Sequence, residues 1–354
     1  MPTTVVDEHM RARTRPDAAI ELDGLGKVYG RGEKAFAAVK PTTLSVPWGQ
    51  VIGLLGPNGA GKTTTIKMLG GLVTPSSGTI RLGGHDVARD RSNAVRQIGA
   101  VLEGSRNVYW PMSAWENLMY FGRLKGLRGG EIKPRARRLL TELGLWERRN
   151  ETVSSFSRGM QQKVAVSAAL ITDPPILLLD EPTLGLDVEA ARTFKDWIAH
   201  LAADEGKTIV LTTHQLEVAQ ELSDRIAVIK EGEIIADLPT AELLARHAED
   251  RFEVRVATGS LDVLARVLPD GATTEPHDDE TRVTLRDTDE DTLYALLAQL
   301  RAAGAPLVSV ARAQPSLEEV FLRLIHADDD SVGDDDRVGD DGANQPTQAK
   351  ETTS

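Results

Sequence analysis

The sequence predicts an α/β domain with a mixed sheet, followed by a small α+β domain. Three observations support this. Residues 18–240 alternate short apolar runs with segments of helical periodicity. A glycine-rich segment joins one of these runs to a helix at residues 56–63. Residues 251–325 form a separate β-α-β-α-β-α pattern, which suggests a ferredoxin-like sandwich. The chain of 354 residues is long enough for one large and one smaller domain.

The strands of the large domain are predicted from their apolar runs. Four runs are predicted as strands, the first three with the continuous apolar composition of a buried parallel sheet: residues 51–56, 176–182, 208–214 and 225–235. Three earlier segments alternate apolar and polar residues and predict an antiparallel flank: residues 19–30, 37–49 and 78–84. Residues 113–150 have helical periodicity and predict a helical subdomain.

Composition predicts the state of the two termini and the location of the protein in the cell. We expect residues 1–17 to be disordered, and likewise the tail 327–354, which carries eight aspartates and one glutamate against one arginine and one lysine. There is no cysteine, no secretory signal and no apolar run long enough to span a membrane. The net charge of −12 does not favour a nucleic-acid partner. A cytoplasmic protein is predicted.

The first chemical motif is "GPNGAGKT", between a predicted strand and a predicted helix. Gly56, Gly61, Lys62 and Thr63 complete the G-x-x-x-x-G-K-[ST] pattern of a P-loop. In such a turn, backbone N–H groups and the helix N-terminus bind phosphates, the lysine reaches the β- and γ-phosphates, and the hydroxyl binds Mg²⁺. A glycine-rich turn can also be a plain connector, but the full match predicts a nucleotide site: Gly56, Asn58, Gly59, Gly61, Lys62, Thr63 and Thr64.

The second motif is "ILLLDEP", where two carboxylates follow a predicted buried strand. Ligands gather at the carboxyl ends of parallel strands. Asp180 is therefore a predicted Mg²⁺ ligand, directly or through water, and Glu181 a predicted general base or water-orienting group. The alternative is an ordinary surface Asp-Glu pair after a strand.

The segment 154–187 decides between kinds of nucleotide-binding protein. Here "FSRGMQQ" precedes a predicted helix that leads to the Asp180 strand, and "LGLD" follows it. These motifs resemble those of the ATP-binding subunit of an ABC transporter. The resemblance covers residues 18–240 and implies a P-loop NTPase domain of the ABC ATPase type. It also implies a head-to-tail homodimer with two ATP molecules sandwiched between the copies.

The same resemblance implies roles for further residues. Ser157 and the N–H of Gly159 would contact the γ-phosphate bound by a second copy, and Asp187 would touch that copy. His214, in "LTTH", corresponds to the family's switch histidine, which contacts the γ-phosphate. Tyr29, in "GKVYG", fits the aromatic residue that stacks on adenine. An isolated histidine after a strand is otherwise usually structural, and the alternative for Tyr29 is ordinary packing in the antiparallel flank. The two assignments depend on the resemblance.

Three positions depart from the family pattern. Glu103 stands where a glutamine is usual, at a position that contacts Mg²⁺ or water and reports to the membrane subunit. A carboxylate can still bind a hard cation, so we expect Glu103 to keep this role with an altered Mg²⁺ dependence. Unchanged transport and Mg²⁺ dependence in Glu103→Gln would contradict this expectation. Arg158 and Met160 replace a glycine and a glutamine of the signature motif, which we interpret as a subtype difference.

Aromatic residues are concentrated just after Glu103. Five of the fifteen lie between positions 109 and 121: Tyr109, Trp110, Trp115, Tyr120 and Phe121. In the family this region receives the membrane subunit, so residues 103–121 are a predicted permease contact. The alternative is that the rings simply pack the helical subdomain, since aromatics are enriched in both cores and interfaces.

These observations predict an ATP-hydrolysing exporter subunit that drives a separate membrane permease from the inner face of the cell membrane. The export assignment depends on residues 251–325, whose element order and "QPSLEEVFLRL" resemble the C-terminal extension of drug- and polysaccharide-exporter ATPases. There are three alternatives: an importer ATPase, a soluble ABC-type ATPase acting on ribosomes or DNA, and a non-hydrolysing regulatory subunit. A single ATPase unit without a basic patch argues against the second, and Glu181 and His214 argue against the third.

Overall fold

The computed structural model describes residues 16–103, 107–247, 251–257, 261–269, 271–277, 279–285, 288–312 and 315–326. Most of the N-terminal segment and the whole acidic tail, both predicted to be disordered, lie outside the described residues.

The large domain contains ten strands and eight α-helices among the described residues. In chain order its strands are β1 (Ala18–Tyr29), β2 (Phe36–Pro47), β3 (Val51–Leu55), β4 (Ser77–Leu82), β5 (His85–Asp86), β6 (Ile98–Val101), β7 (Ile176–Asp180), β8 (Thr208–Thr212), β9 (Arg225–Lys230) and β10 (Glu233–Pro239). Its helices are α1 (Lys62–Leu69), α2 (Arg91–Arg96), α3 (Ala114–Leu124), α4 (Gly129–Glu142), α5 (Arg158–Leu170), α6 (Val188–Ala203), α7 (Leu216–Leu222) and α8 (Thr240–Arg246).

Two sheets organise this domain. The antiparallel flank has the strand order β2-β1-β4-β5. The central sheet has the order β10-β9-β3-β8-β7-β6, in which β10 is antiparallel to β9 and the other neighbours run parallel. The predicted fold class, a mixed α/β sheet with an antiparallel flank and a helical subdomain, is confirmed.

Strands β3, β7 and β8 of the central sheet are buried on both faces, which explains their unbroken apolar runs. On β7, Leu177 and Leu179 pack with the helices α3, α4, α5 and α6, whereas Ile176 and Leu178 face α1 and the antiparallel flank. All five β7 residues are buried. Because successive side chains point to opposite faces, one short strand supplies both hydrophobic cores.

Two details of this sheet differ from the sequence prediction. Residues 225–235, predicted as one strand, form the hairpin β9–β10, because Glu231 and Gly232 turn the chain with φ of +49° and +79°. Two consecutive left-handed residues are typical of a tight hairpin turn. Strand β6 was not predicted, since its four residues "IGAV" are too short to show a period.

The small C-terminal unit has a single antiparallel sheet. Its strands are β11 (Phe252–Ala257), β12 (Thr273–His277), β13 (Glu280–Leu285) and β14 (Leu307–Arg312), in the order β12-β13-β11-β14. Helices α9 (Leu261–Val267) and α10 (Glu290–Ala302) connect them in the order β-α-β-β-α-β. The strand β12 was not predicted, because "TTEPH" is polar and contains a proline.

The last helix, α11 (Leu317–His326), packs on the large domain rather than on this sheet. Its Leu317 and Val320 are buried in a cluster with residues of β3, β9, α7 and α8. The Leu317 N–H donates to the side chain of Gln220 on α7 at 2.7 Å, and the Lys230 ammonium donates to the carbonyl of Ile325 at 2.6 Å. Helix α11 thus completes the hydrophobic core of the large domain.

Candidate functional site

The P-loop lies between β3 and α1, and its glycines are required by close backbone contacts. A Cβ at Gly56 would lie 2.2 Å from the carbonyl oxygen of Ile229, and one at Gly61 would lie 2.5 Å from that of Ala38. Gly61 also has φ of +111°, which favours glycine. The loop is therefore folded tightly against β2 and β9, with the N-terminus of α1 at its end.

Lys62 is buried at the first position of α1. Its ammonium donates to the carbonyls of Gly56 at 2.6 Å and Pro57 at 3.1 Å, so it closes the loop on itself. Burial lowers the pKa of Lys62, and the nearby carboxylates of Glu181, Asp180 and Glu103 oppose that shift. A cation desolvated in this way interacts strongly with a bound anion.

Asp180 ends β7 and is 3% exposed. One carboxylate oxygen, Oδ1, accepts a hydrogen bond from the Thr212 hydroxyl at 2.6 Å. The other, Oδ2, is buried and has no hydrogen-bond partner among the described residues. A buried carboxylate oxygen is costly to leave unpaired, so this atom is suited to a cation or its bound water.

Glu181 follows directly and has φ of +51°, an uncommon backbone conformation for a residue with a side chain. Its Oε2 lies 2.9 Å from Nδ1 of His214, and it also accepts from the His214 N–H at 3.3 Å. Burial raises the pKa of Glu181, while His214 and Lys62 act in the opposite direction. The turn therefore directs a partly desolvated carboxylate toward the P-loop and holds it against His214.

These elements enclose a cleft of about 270 Å³. Ten predicted site residues line it: Tyr29, Asn58, Gly59, Gly61, Lys62, Thr63, Thr64, Glu103, Asp180 and Glu181. Gly56 lies beneath the loop, and His214 reaches the cleft through Glu181. The structure thus brings the predicted P-loop, carboxylate and histidine residues together.

Sequence reasoning missed two contributors to this cleft. Phe36 is 60% exposed, lines the cleft and pairs with Tyr29 across the β1–β2 hairpin. Its position opposite Tyr29 could have been inferred only from the register of that hairpin. The Thr212 hydroxyl, which orients Asp180, lies in the "LTTH" segment that sequence analysis used only for His214.

Three other predicted site residues do not line this cleft. Ser157 is the N-cap of α5 and accepts from the Met160 N–H at 3.3 Å, whereas Asp187 is the N-cap of α6 and accepts from the Ala190 N–H at 2.8 Å. A Cβ at Gly159 would lie 2.9 Å from that of Ala190, so close packing of α5 on α6 requires a glycine there. All three residues have a structural role within one chain.

Two family matches cover successive parts of the chain. Residues 39–184 match the family described as ABC transporter, and residues 239–325 match the one described as ATP-binding protein DrrA1-3-like, C-terminal domain. The daunorubicin/doxorubicin resistance ATP-binding protein DrrA of Streptomyces peucetius is 37% identical over 321 residues, covering 90% of this chain and 96% of that protein. The chain belongs to the family of ABC transporter ATP-binding proteins.

Other relatives of this ABC ATP-binding protein agree. The linearmycin resistance ATP-binding protein LnrL of Bacillus subtilis is 34% identical, with 86% of this chain and 97% of that protein covered. Among solved structures, the dimeric post-hydrolysis state of the ATP-binding cassette MJ0796 bound to ADP and Pi has a TM-score of 0.57 and 29% identity, covering 62% of this chain and 98% of that one.

These findings confirm the predicted function, an ATP-binding and ATP-hydrolysing subunit of an ABC transporter. They favour it over a soluble ATPase acting on ribosomes or DNA. ABC cassettes of this kind form dimers and work with membrane permease subunits. In the part of the chain that the structure describes, no helix is long and apolar enough to cross a membrane.

Proposed function

We propose that this chain hydrolyses Mg²⁺·ATP in a head-to-tail homodimer and thereby drives the export of a small molecule through a separate permease. The observation that carries the proposal is the unpaired, buried Oδ2 of Asp180, in the same cleft as Lys62 and Thr63. The described residues contain no cluster of three or more side chains that could hold a metal alone. Mg²⁺ typically binds one or two protein groups together with substrate phosphates, so this donor set fits it.

Within the cleft, each residue has a distinct chemical task. Thr63 and Asp180 would hold Mg²⁺, which neutralises charge on the phosphates when bound. Lys62 would exchange its loop carbonyls for phosphate oxygens. The raised pKa of Glu181 brings this carboxylate nearer to the operating pH, which improves a general base. His214 would keep Glu181 oriented and contact the γ-phosphate. Tyr29 and Phe36, exposed at the cleft rim, would stack on the adenine ring.

The dimer assignment concerns the residues that lie outside this cleft. Ser157 and the Gly159 N–H are at the N-terminus of α5, where helix donors favour an anion. Because neither residue lines its own chain's P-loop cleft, we infer that they contact the γ-phosphate bound by the second copy. Asp187 would meet that copy beside them.

The permease assignment concerns residues 103–121 and places the chain at the inner face of the cell membrane. The five aromatic residues of this region fall into an exposed group and a packed group. Tyr109, Trp110 and Tyr120 are 50%, 38% and 37% exposed, whereas Trp115 and Phe121 pack against the core of the large domain. We infer that the first three rings contact the permease. The C-terminal match to DrrA1-3-like proteins, and relatives named for antibiotic resistance, support export rather than import.

The decisive experiment compares the parent chain with Glu181→Gln. We expect the variant to lose hydrolysis by about 10²–10⁴-fold, because the positioned base is gone. It should retain Mg²⁺·ATP and elute as a dimer in size-exclusion chromatography only when ATP is present. Glu181→Gln combined with Lys62→Ala is the matched control and should stay monomeric. Undiminished hydrolysis by Glu181→Gln would contradict the role of Glu181, and a monomeric variant at saturating ATP would contradict the sandwich dimer.

A further inference from the structure

Two of the three departures from the family pattern carry opposite charges and line the same cleft. Glu103 and Arg158 both line a second cleft of about 600 Å³, which shares Glu103, Asp180 and Glu181 with the nucleotide cleft. They come from different elements. Glu103 follows β6, and Arg158 begins α5. A negative and a positive residue therefore face one space next to the γ-phosphate end of the site.

Arg158 stands in an unfavourable place for a cation. It occupies the first position of α5, a helix of 13 residues, where the helix dipole disfavours positive charge. Its guanidinium lies against Gly185: a Cβ there would be 2.4 Å from Nη1 and 2.6 Å from Cζ. Among the described residues Arg158 makes no ion pair, and it is exposed to the open cleft.

Glu103, in contrast, is surrounded by other negative charges. Three carboxylates line the second cleft, those of Glu103, Asp180 and Glu181. Arg158 is the one cation among the described residues that line it, while Lys62 faces the same carboxylates from the nucleotide cleft. Glu103 is also near enough to Lys62 to favour the charged lysine. A nucleotide triphosphate would add further negative charge beside Glu103, and like charges in a partly desolvated site repel strongly.

We propose that Arg158 is the counter-charge of Glu103, and that the two form an ion pair across the second cleft when Mg²⁺·ATP binds. Arg158 is then a positioning residue: it offsets the charge of Glu103 and fixes the position of that carboxylate. Formation of the pair brings Arg158 and Glu103 together and narrows the second cleft. This inference rests on the proposed function, because it assigns a task to two residues of the same site.

The proposal predicts compensation between substitutions at the two positions. Arg158→Gln leaves Glu103 uncompensated and should weaken Mg²⁺·ATP binding by about tenfold, the effect of one unbalanced charge at a partly buried site. Glu103→Gln alone removes a negative charge beside the phosphates and should raise the affinity. In the double variant both charges are absent, so the affinity should return to within about twofold of the parent.

The test is equilibrium binding of a fluorescent ATP analogue with Mg²⁺ to the parent, both single variants, the double variant and Arg158→Lys. Arg158→Lys keeps the charge and should bind like the parent. Thermal unfolding of each variant without nucleotide checks the fold, which substitution of an exposed side chain should not change. Arg158→Met provides a second neutral side chain if Arg158→Gln is poorly folded.

The outcomes separate the possible roles. Recovery of affinity in the double variant supports the ion pair. An equally large loss in the Glu103→Gln background overturns it, and would show that Arg158 acts on the nucleotide itself or on the Gly185 turn. Parent hydrolysis is measured separately: its absence would count against the proposed function, whereas the binding comparison tests the pair regardless of turnover.

Discussion

The nucleotide cleft and the C-terminal sheet use polar residues in opposite ways. In the cleft, Lys62 and Asp180 are buried, one Asp180 oxygen is unpaired and Glu181 has a left-handed backbone. Along β11, apolar and charged residues alternate, so Val254 is buried while Glu253 pairs with Arg255 on the other face. Buried charges, an unpaired oxygen and a left-handed backbone all cost stability in the cleft, whereas β11 buries its larger apolar residues and keeps its charged ones partly exposed. Such departures mark the part of the molecule where ligand binding provides the missing interactions.

Helix α11 belongs to the C-terminal region in sequence but stabilises the large domain. A substitution in α11 should therefore change the free energy of unfolding most, and a substitution in the nucleotide cleft should change it least.

The largest stability effect is expected for Val320→Asp. Val320 is fully buried between α11 and the large domain, so an aspartate would place an unpaired charge in that core. We expect a loss of about 3 kcal/mol or more in the free energy of unfolding, measured by urea denaturation. Leu322→Asp, on the same helix but 47% exposed, is the control and should change it by no more than about 0.5 kcal/mol. Equal losses in both variants would contradict the packing of α11.

An intermediate effect is expected in the helical subdomain. Trp115 packs against the core and contacts Trp146 with ring centroids 5.9 Å apart, so Trp115→Ala should cost about 2 kcal/mol. Trp110→Ala, at a more exposed ring, should cost less stability than Trp115→Ala but lose recruitment to membranes that contain the permease. Co-sedimentation with such membranes, alongside denaturation, measures both. Normal recruitment of Trp110→Ala would exclude that ring from the permease contact.

The smallest effect, of opposite sign, is expected for Glu181→Gln without nucleotide. Burial raises the pKa of Glu181 above its unfolded value, so the stability linked to its proton is present at acid pH and lost as pH rises through the folded pKa. At pH 7 the charged, buried carboxylate of Glu181 therefore lowers the free energy of unfolding. The uncharged variant should melt roughly 1–2 °C higher there, and the difference should vanish near pH 4. A lower melting temperature at pH 7 would show that the His214 contact outweighs burial.

The cleft could be predicted from sequence where chemistry and spacing coincide within one segment. The P-loop and the Asp180-Glu181 pair each follow a buried strand directly, so their place at the carboxyl end of the sheet follows from the pattern. Phe36 and the contact of Arg158 with Gly185 could not be predicted, because hairpin register and helix packing bring together residues that are distant along the chain. The amphipathic period of α11 predicted a helix, but a period does not identify the surface on which a helix packs.

The position of α11 also limits how this protein can be cut or recombined. The chain leaves the large domain after α8, forms the small sheet and then returns to the surface beside α7 and α8. A truncation placed between α8 and β11 would remove part of the ATPase core together with the appended unit. A graft of the C-terminal region from a relative would likewise import a foreign helix into that core. In this chain α11 therefore makes the C-terminal region inseparable from the core of the large domain.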